Sequence, residues 1–538
     1  MNITKVIIEN YRSIKHLEID FKPLFGLIGA NSAGKSNILK AINLVLGERY
    51  PMPQSLSKKD FYNEDYSNNL KIEVHFNEEF VSWGRKCKGI SFKTQYNSEN
   101  KSFNTELKAI ECSSGLCQSY NIKGDTKEQF SIIYIPADRN FTKNLQNISE
   151  WSFLGKITKQ FNENFPEDKI PELNIKFEEV KSYLETEEFR EFETDFKQYF
   201  REHVLPNEND VNIEFKAFNP KNYYKTIEII PKEYDLIKDI DQMGDGMKNL
   251  IFISLLRAYA KNFPKSTIFL IEEPELFLHP QARLDLFNIF KSLTTNGSQI
   301  IYCTHSQEFI DIEYFSNIGR VIKIEEDRKY NSKLLQINDL RFLLNWQTNT
   351  QVINATLDSI KLFLKNISDA ETNKAFFAKK IVLVEGNTEK WLLPIYFKKE
   401  GLDLEKNNIE IVSASGKNNM EKFYLLFNEL KYPIYIIFDG DKTENEGENI
   451  NKKLTKILFL NEESFPDTKI EKFGTVFEEN IEEELKKDIL NFNELKDEAK
   501  QLYNLKRDGN KEIIARYIAN KTDCPEIIKQ ILTKIKEL

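Results

Sequence analysis

Residues 29–36 read Gly29-Ala30-Asn31-Ser32-Ala33-Gly34-Lys35-Ser36 and follow the short apolar run Phe25-Gly26-Leu27-Ile28. The eight residues fit the spacing G-x-x-x-x-G-K-[ST], in which glycines let the backbone wrap a phosphate with its N–H groups. A helix predicted from about Lys35 to Leu46 adds its positive N-terminal end. In this reading Asn31 and Gly34 belong to the cradle. Lys35 reaches the β- and γ-phosphates of a bound nucleotide, and the Ser36 hydroxyl ligates Mg²⁺. A buried strand, a glycine loop and a helix in that order imply an α/β fold.

Working outward, Ile3–Ile8 and Leu17–Phe21 alternate as strands, and residues 70–135 read as an antiparallel β segment of short alternating stretches. From about 145 to 205 the text turns Glu-, Phe- and Lys-rich with helical spacing, as in Phe177–Phe200. This predicts an inserted helical element, a candidate for dimerisation. Between 240 and 310 the pattern is helix, strand, helix, strand, with strands at Thr267–Ile271 and Gln299–Cys303. Apolar strands alternating with helices predict a parallel sheet covered on both faces.

The first of these strands ends in Glu272-Glu273-Pro274-Glu275, and ligands bind at the carboxyl ends of strands in open α/β sheets. Glu272 is expected to hold Mg²⁺ through water, and Glu273 to polarise an attacking water. Glu272 stands where an Asp is more usual. Gln242-Met243-Gly244-Asp245-Gly246 opens a helix with a Gly-rich turn, and Thr304-His305-Ser306 follows the second strand, where His305 can contact a γ-phosphate. This order of parts resembles the ABC-type ATPase head of the RecF/SMC group, as do the opening Ile7–Ile14 and the sequel Leu276-Phe277-Leu278-His279-Pro280. The resemblance implies that two heads sandwich ATP, with the Gly244–Gly246 turn of one facing the loop of the other. The turn lacks Leu-Ser-Gly-Gly-Gln, which separates ATP binding from fast hydrolysis.

A second α/β pattern starts at Lys380–Val384 and continues through strands Ile409–Val412 and Ile434–Phe438. The first strand exits into Glu385-Gly386-Asn387-Thr388-Glu389, placing Glu389 one helical turn from Glu385. The last exits into Asp439-Gly440-Asp441. Two such strand ends side by side would gather four carboxylates, which repel unless a cation neutralises them. Oxygen-only ligands suit Mg²⁺ or Mn²⁺, and such ions serve phosphodiester chemistry. The Glu-Gly exit followed by D-x-D resembles a Toprim domain, and the V-E-G-x-T-E form resembles its nuclease version.

An ABC-type head followed by a Toprim domain resembles the overcoming-lysogenization-defect (OLD) family of endonucleases over most of the chain. By that resemblance Glu385, Glu389, Asp439 and Asp441 are metal ligands, and Glu385, Asp439 and Asp441 carry the cleavage. Gly416-Lys417 matches a small turn near the site. An acid after the D-x-D strand falls on Glu482 first and Glu478 second, and Lys511 is the candidate basic group. The resemblance further implies DNA as substrate, a homodimer or higher even oligomer, and a role in bacterial defence against phage with a partner protein or RNA. The other reading is an ATP-driven DNA-binding, repair or scaffold protein whose Toprim half is silent. A topoisomerase lacks a convincing nucleophilic Tyr context, and a primase lacks a template-selecting module.

The implied division is 1–345 for the ATPase head with its insert, 346–378 for a helical connector, and 379–538 for the Toprim domain with a helical tail. The 538 residues carry 75 Lys and Arg against 84 Asp and Glu, a net charge of −9. This excludes a globally basic nucleic-acid binder but not local basic patches. Metal-site carboxylates account for part of the acidic surplus. Five cysteines with no C-x-x-C pair argue against a disulfide framework and for a reducing compartment. No run approaches 18 apolar residues and the first ten residues alternate like a strand, so a cytoplasmic protein with no membrane partner is expected.

Overall fold

A computed structural model describes residues 1–47, 50–113, 116–137, 153–187, 189–191, 194–195, 229–230, 232–233, 236–237, 239–262, 267–276, 278–326, 329–369, 371–444, 446–505 and 510–538. Contacts divide the chain into one unit of residues 1–135 and 266–538 and another of residues 136–265.

In the larger unit, β1 (Ile3–Tyr11), β2 (Ile14–Asp20) and β3 (Leu24–Ile28) precede α1 (Lys35–Leu46). β4 (Leu70–Ser82), β5 (Arg85–Asn97), β6 (Ser102–Ser113) and β7 (Leu116–Asn121) continue the first sheet, whose order is β2-β1-β4-β5-β6-β7. The expected antiparallel segment is present, with strands of up to 13 residues rather than short ones. Its last part is corrected. β8 (Ile132–Ile135) leaves this sheet and pairs parallel with β11 (Ile268–Glu272) in the second. Against the expectation from the cysteine spacing, Cys117 is disulfide-bonded, whereas Cys87, Cys303 and Cys524 are free.

The smaller unit holds α2 (Phe153–Glu163), α3 (Ile170–Leu184), the two-residue strands β9 (Lys232–Glu233) and β10 (Leu236–Ile237), and α4 (Asp245–Asn262). Of the expected insert, residues 153–163 and 170–184 are helical. Residues 145–152 and 196–205 lie outside the described residues.

The second sheet has the order β14-β13-β3-β12-β11-β8, where β12 is Gln299–Cys303, β13 Ile318–Glu326 and β14 Lys329–Gln336. β13, β3, β12, β11 and β8 are mutually parallel, and β14 turns back antiparallel at the edge. The residues of β3, β11 and β12 are all buried, as strands covered on both faces must be. α5 (Pro280–Thr295) joins β11 to β12.

α6 (Asp339–Thr350) and α7 (Leu357–Ile367) lead to the third sheet, ordered β16-β15-β17-β19-β18. β15 (Lys380–Val384), β16 (Ile409–Ser413), β17 (Ile434–Asp439) and β19 (Gly474–Phe477) are parallel, and β18 (Lys469–Ile470) is an antiparallel edge. Its helices are α8 (Asn387–Lys399), α9 (Leu404–Asn407), α10 (Lys417–Glu429) and α11 (Glu448–Phe459), followed by α12 (Ile481–Asp488), α13 (Phe492–Leu502), α14 (Lys511–Lys521) and α15 (Glu526–Glu537). Side chains alternate between its two faces. Ile381, Leu383, Ile434 and Ile436 enter a core shared with Ile28, Phe342 and Trp346, so this sheet packs toward the ATPase elements. Val382, Val384, Tyr435 and Ile437 enter a second core with the C-terminal helices.

Candidate functional sites

Two sites lie at the carboxyl ends of the second and third sheets. At the first, Gly29 and Gly34 have φ of 139° and 111°, values that favour glycine. A Cβ on Gly29 would collide with the Val321 carbonyl, and one on Gly34 with the Ser332 and Ser13 hydroxyls. Lys35 Nζ donates to the carbonyls of Gly29 and Ala30, each at 2.9 Å, and to His305 Nε2 at 2.8 Å. Burial lowers the pKa of both Lys35 and His305, and the nearby ammonium holds His305 down further. His305 is thus neutral and accepts from Lys35. Asn31 is exposed at the loop tip, and the Ser36 hydroxyl lies near the Cys303 thiol.

Glu272 is 3% exposed, accepts the Tyr134 hydroxyl at 2.8 Å and stands 3.8 Å from Lys40 Nζ. Glu273 adopts φ 44°, a strained value for a side-chain-bearing residue, and its N–H donates to Cys303 O at 2.8 Å. Its charge partly opposes the lowering of the Lys35 and His305 pKa by burial, so it stands near both. Glu275, given no role by the sequence, accepts the Thr304 hydroxyl at 2.8 Å and the His305 N–H at 2.6 Å, and so fixes the His305 loop. Ser13 accepts from Asn37 Nδ2 at 2.8 Å. It lines an open cavity of about 770 Å³ with Arg12, Asp60, Lys323 and Lys329. Gly244 lies in the separate smaller unit. Its carbonyl accepts the N–H groups of Met247 and Lys248 where α4 begins, with Gly246 exposed in the first turn.

At the second site β15 and β17 are neighbours in register, Val384 opposite Ile437, which aligns the exits carrying Glu385 and Asp439. Glu389 is 4% exposed, and its Oε2 accepts the Gly386 N–H at 3.2 Å. The Asp439 N–H donates to Glu385 Oε2 at 3.4 Å, and Asp439 Oδ1 accepts the Ile481 N–H at 3.1 Å. Asp441 has φ 51° and pairs with Lys417 Nζ at the first turn of α10. Buried Asn451 donates to Gly440 O and Ser464 O, both at 2.8 Å, and so holds the D-x-D loop. The sequence offers no spacing signal for Asn451, and it shows Lys417 only as part of a small turn.

These acids feel one another. Burial pushes Glu385 up to about 7, with Asp441 and Glu389 adding and Lys417 opposing. Asp439 is raised first by burial and then by Glu389, Glu385 and Asp441. Burial also raises Glu389, where Lys511 opposes and Glu482 adds, so both late sequence candidates stand within its field. Glu482 also lies 3.6 Å from Lys496 Nζ. Glu478 is turned elsewhere, to Lys442 Nζ at 2.7 Å, which favours Glu482 over it as the additional acid.

The donor set is carboxylate oxygen throughout, which fits a hard divalent cation and relieves the repulsion described above. Among the described residues, no three His, Cys, Asp or Glu side chains converge as a metal cage in the present arrangement. The reason is visible: Lys417 holds Asp441, while backbone amides hold Glu389 and Asp439.

A pH dependence follows. An acid raised to about 7 when folded keeps a proton that the unfolded chain releases near 4.5. This group's contribution is therefore most favourable below 4.5 and falls as pH rises through 7, by roughly 3 kcal/mol. Added Mg²⁺ or Mn²⁺ should raise Tm more at pH 8 than at pH 6, and equal shifts at the two pH values would contradict the assignment. A separate expectation concerns Gly440. A Cβ there would lie 2.6 Å from the carbonyls of Phe477 and Glu478, both backbone atoms with little room to yield. Gly440→Ala should lower stability by about 1–3 kcal/mol in urea denaturation.

A glycine loop on a parallel sheet, with two acids at the end of β11 one strand removed from the loop's own strand, defines a P-loop ATPase head, and the third sheet with its acidic exits defines a Toprim domain. Residues 1–310 match the family described as AAA ATPase domain, and residues 376–441 match "Overcoming lysogenization defect protein-like, TOPRIM domain". The chain belongs to the AAA ATPase domain family and joins that head to a Toprim domain of the OLD type. It is 24% identical over 454 residues to the "OLD nuclease" of Thermus scotoductus, covering 82% of each chain. It is 22% identical over 482 residues to the "Old nuclease" of Escherichia phage P2, covering 83% of this chain and 78% of that one. To "Endonuclease GajA" of Bacillus cereus (strain HuB5-5) it is 24% identical over 419 residues, 73% of this chain and 59% of that one. Among solved structures, an SmcHead bound to the C-winged helix domain of ScpA is similar at 18% identity and a TM-score of 0.38, covering 63% of this chain and 99% of that one. Among the described residues, no helix is long and apolar enough to cross a membrane.

Proposed function

We propose that this protein is a divalent-metal-dependent DNA endonuclease whose cleavage is gated by ATP at the head. The observation that carries the reading is the set of four mutually repelling carboxylates, Glu385, Glu389, Asp439 and Asp441, at adjacent strand ends of a Toprim fold. The names of the OLD and GajA relatives support it. Glu385, Asp439 and Asp441 would hold Mg²⁺ or Mn²⁺ with Glu389, and Glu482 would extend the set. A cation so held activates water and stabilises the leaving oxygen. Lys511 would face the scissile phosphate as a cationic contact.

At the head, Lys35, Ser36 and the loop amides of Asn31 and Gly34 would bind the ATP phosphates and Mg²⁺, with Glu272 behind the metal. Glu273 would polarise water, His305 would meet the γ-phosphate, and Gly244 and Gly246 would complete a partner head's site in a homodimer or higher even oligomer. The division at 345 and 378, a cytoplasmic setting and work against phage with a partner protein or RNA belong to the same reading. Lys417 neutralising Asp441 favours the competing one, a DNA-binding or scaffold protein with a silent Toprim half. Plasmid incubated with Mg²⁺ or Mn²⁺, with and without ATP, decides between them. Nicking or linearisation that EDTA stops is expected, and intact DNA under every condition would leave only the scaffold reading.

A further inference from the structure

We infer that α10 is the lever through which the ATPase site regulates the carboxylate site, with Arg320 as its handle. The inference rests on the nuclease reading above only for its functional readout. Within the larger unit, Arg320 is the β13 residue in register with Ile28, the residue immediately before the phosphate loop. Its neighbour Val321 carries the carbonyl against which Gly29 is packed so closely that no Cβ fits. Arg320 Nη1 donates to the carbonyls of Leu430 and Lys431, each at 2.9 Å, just past the last residue of α10. Its guanidinium lies 3.7 Å from the centre of the Tyr432 ring, and the Tyr432 hydroxyl bonds to Phe376 O. Helix ends leave carbonyls without intrahelical partners, so one cation of the ATPase sheet caps a Toprim helix. Arg341 and Asn345 of α6 add contacts to Glu429.

The opposite end of the same helix begins at Lys417, 7% exposed, whose ammonium pairs with Asp441. A 13-residue helix spans about 20 Å and moves as a rod. Coupling between distant sites needs elements with two discrete arrangements, and we place one at each end of the path. Lys35 donates to the Gly29 and Ala30 carbonyls, bonds it must give up to reach a phosphate. Lys417 either holds Asp441 or leaves it to a cation. The contiguous path is Lys35, Gly29, Val321, Arg320, α10, Lys417, Asp441. Arg320 is a positioning residue: it touches neither set of reacting groups.

The test compares wild type, Arg320→Gln and Arg320→Lys. Two quantities are read with and without ATP or a non-hydrolysable analogue: the rate of metal-dependent plasmid cleavage, and hydrogen exchange of residues 417–443. In wild type the nucleotide should change cleavage by about 5-fold or more and change exchange in that segment. Both variants should keep nucleotide affinity and nucleotide-free cleavage and lose the response. Arg320→Lys keeps the charge without the two-carbonyl fork and serves if Arg320→Gln does not fold. A wild-type-sized response in a folded variant overturns the inference, as does a wild type in which nucleotide alters neither quantity. If wild type cuts no DNA, but its exchange response is present and lost in the variants, the lever stands and the nuclease reading fails.

Discussion

Asp439→Asn should reduce metal-dependent cleavage by roughly 10²–10³-fold, the scale on which a single preorganised electrostatic contact at a reacting centre is worth. The substitution keeps an oxygen for the Ile481 N–H and nearly the same volume, so the loop can retain its shape. It removes an acid whose ionised form is disfavoured by burial and by Glu389, Glu385 and Asp441. The metal-free variant should therefore melt at or above the wild-type temperature, while the stabilisation by Mg²⁺ shrinks. Loss of activity together with a large drop in Tm would instead mean a folding defect. Wild-type cleavage by the variant would remove Asp439 from the site.

Lys35→Ala should weaken ATP binding about 10²-fold, the equivalent of losing charge-assisted contacts of roughly 2–3 kcal/mol. The fold should survive. Two loop carbonyls and His305 lose a donor, but a buried ammonium with a depressed pKa is removed as well. These opposing costs leave a small net change. Binding of a fluorescent ATP analogue reads the first effect and thermal melting the second. Unchanged affinity would refute the phosphate-binding role of the loop. Under the lever inference the same variant should also lose nucleotide control of cleavage while its metal-only rate persists, which separates binding from gating.

Much of the fold is legible in the sequence because buried parallel strands are written as unbroken apolar runs. The runs ending at Ile28, Cys303 and Val384 all fall in the strands the structure shows. The loop-to-helix step at Lys35 is legible because glycines there have no substitute at positive φ. β8 is misread as part of the antiparallel segment because its four residues, Ile132–Ile135, are equally apolar whichever sheet receives them. Glu275 and Asn451 escape notice for a different reason. Each acts by holding a backbone elsewhere in the chain: Glu275 stands in the Glu-Glu-Pro-Glu run but its partner His305 lies 30 positions on, and no spacing announces Asn451.

The sequence by itself determines the local chemistry: a phosphate cradle, acids at strand ends, and the α/β alternation around them. These are short-range properties, carried by a few neighbouring residues and the conformations open to them. Only the tertiary structure decides that β15 lies beside β17, so that the Glu385 carboxylate at one strand exit accepts the Asp439 N–H at the other. It also decides that Lys417 meets Asp441 and that Arg320 reaches from the ATPase sheet to the end of α10. Those contacts join residues 24 and 110 positions apart. They are set by which faces pack to exclude water, a property of the whole core rather than of any stretch within it.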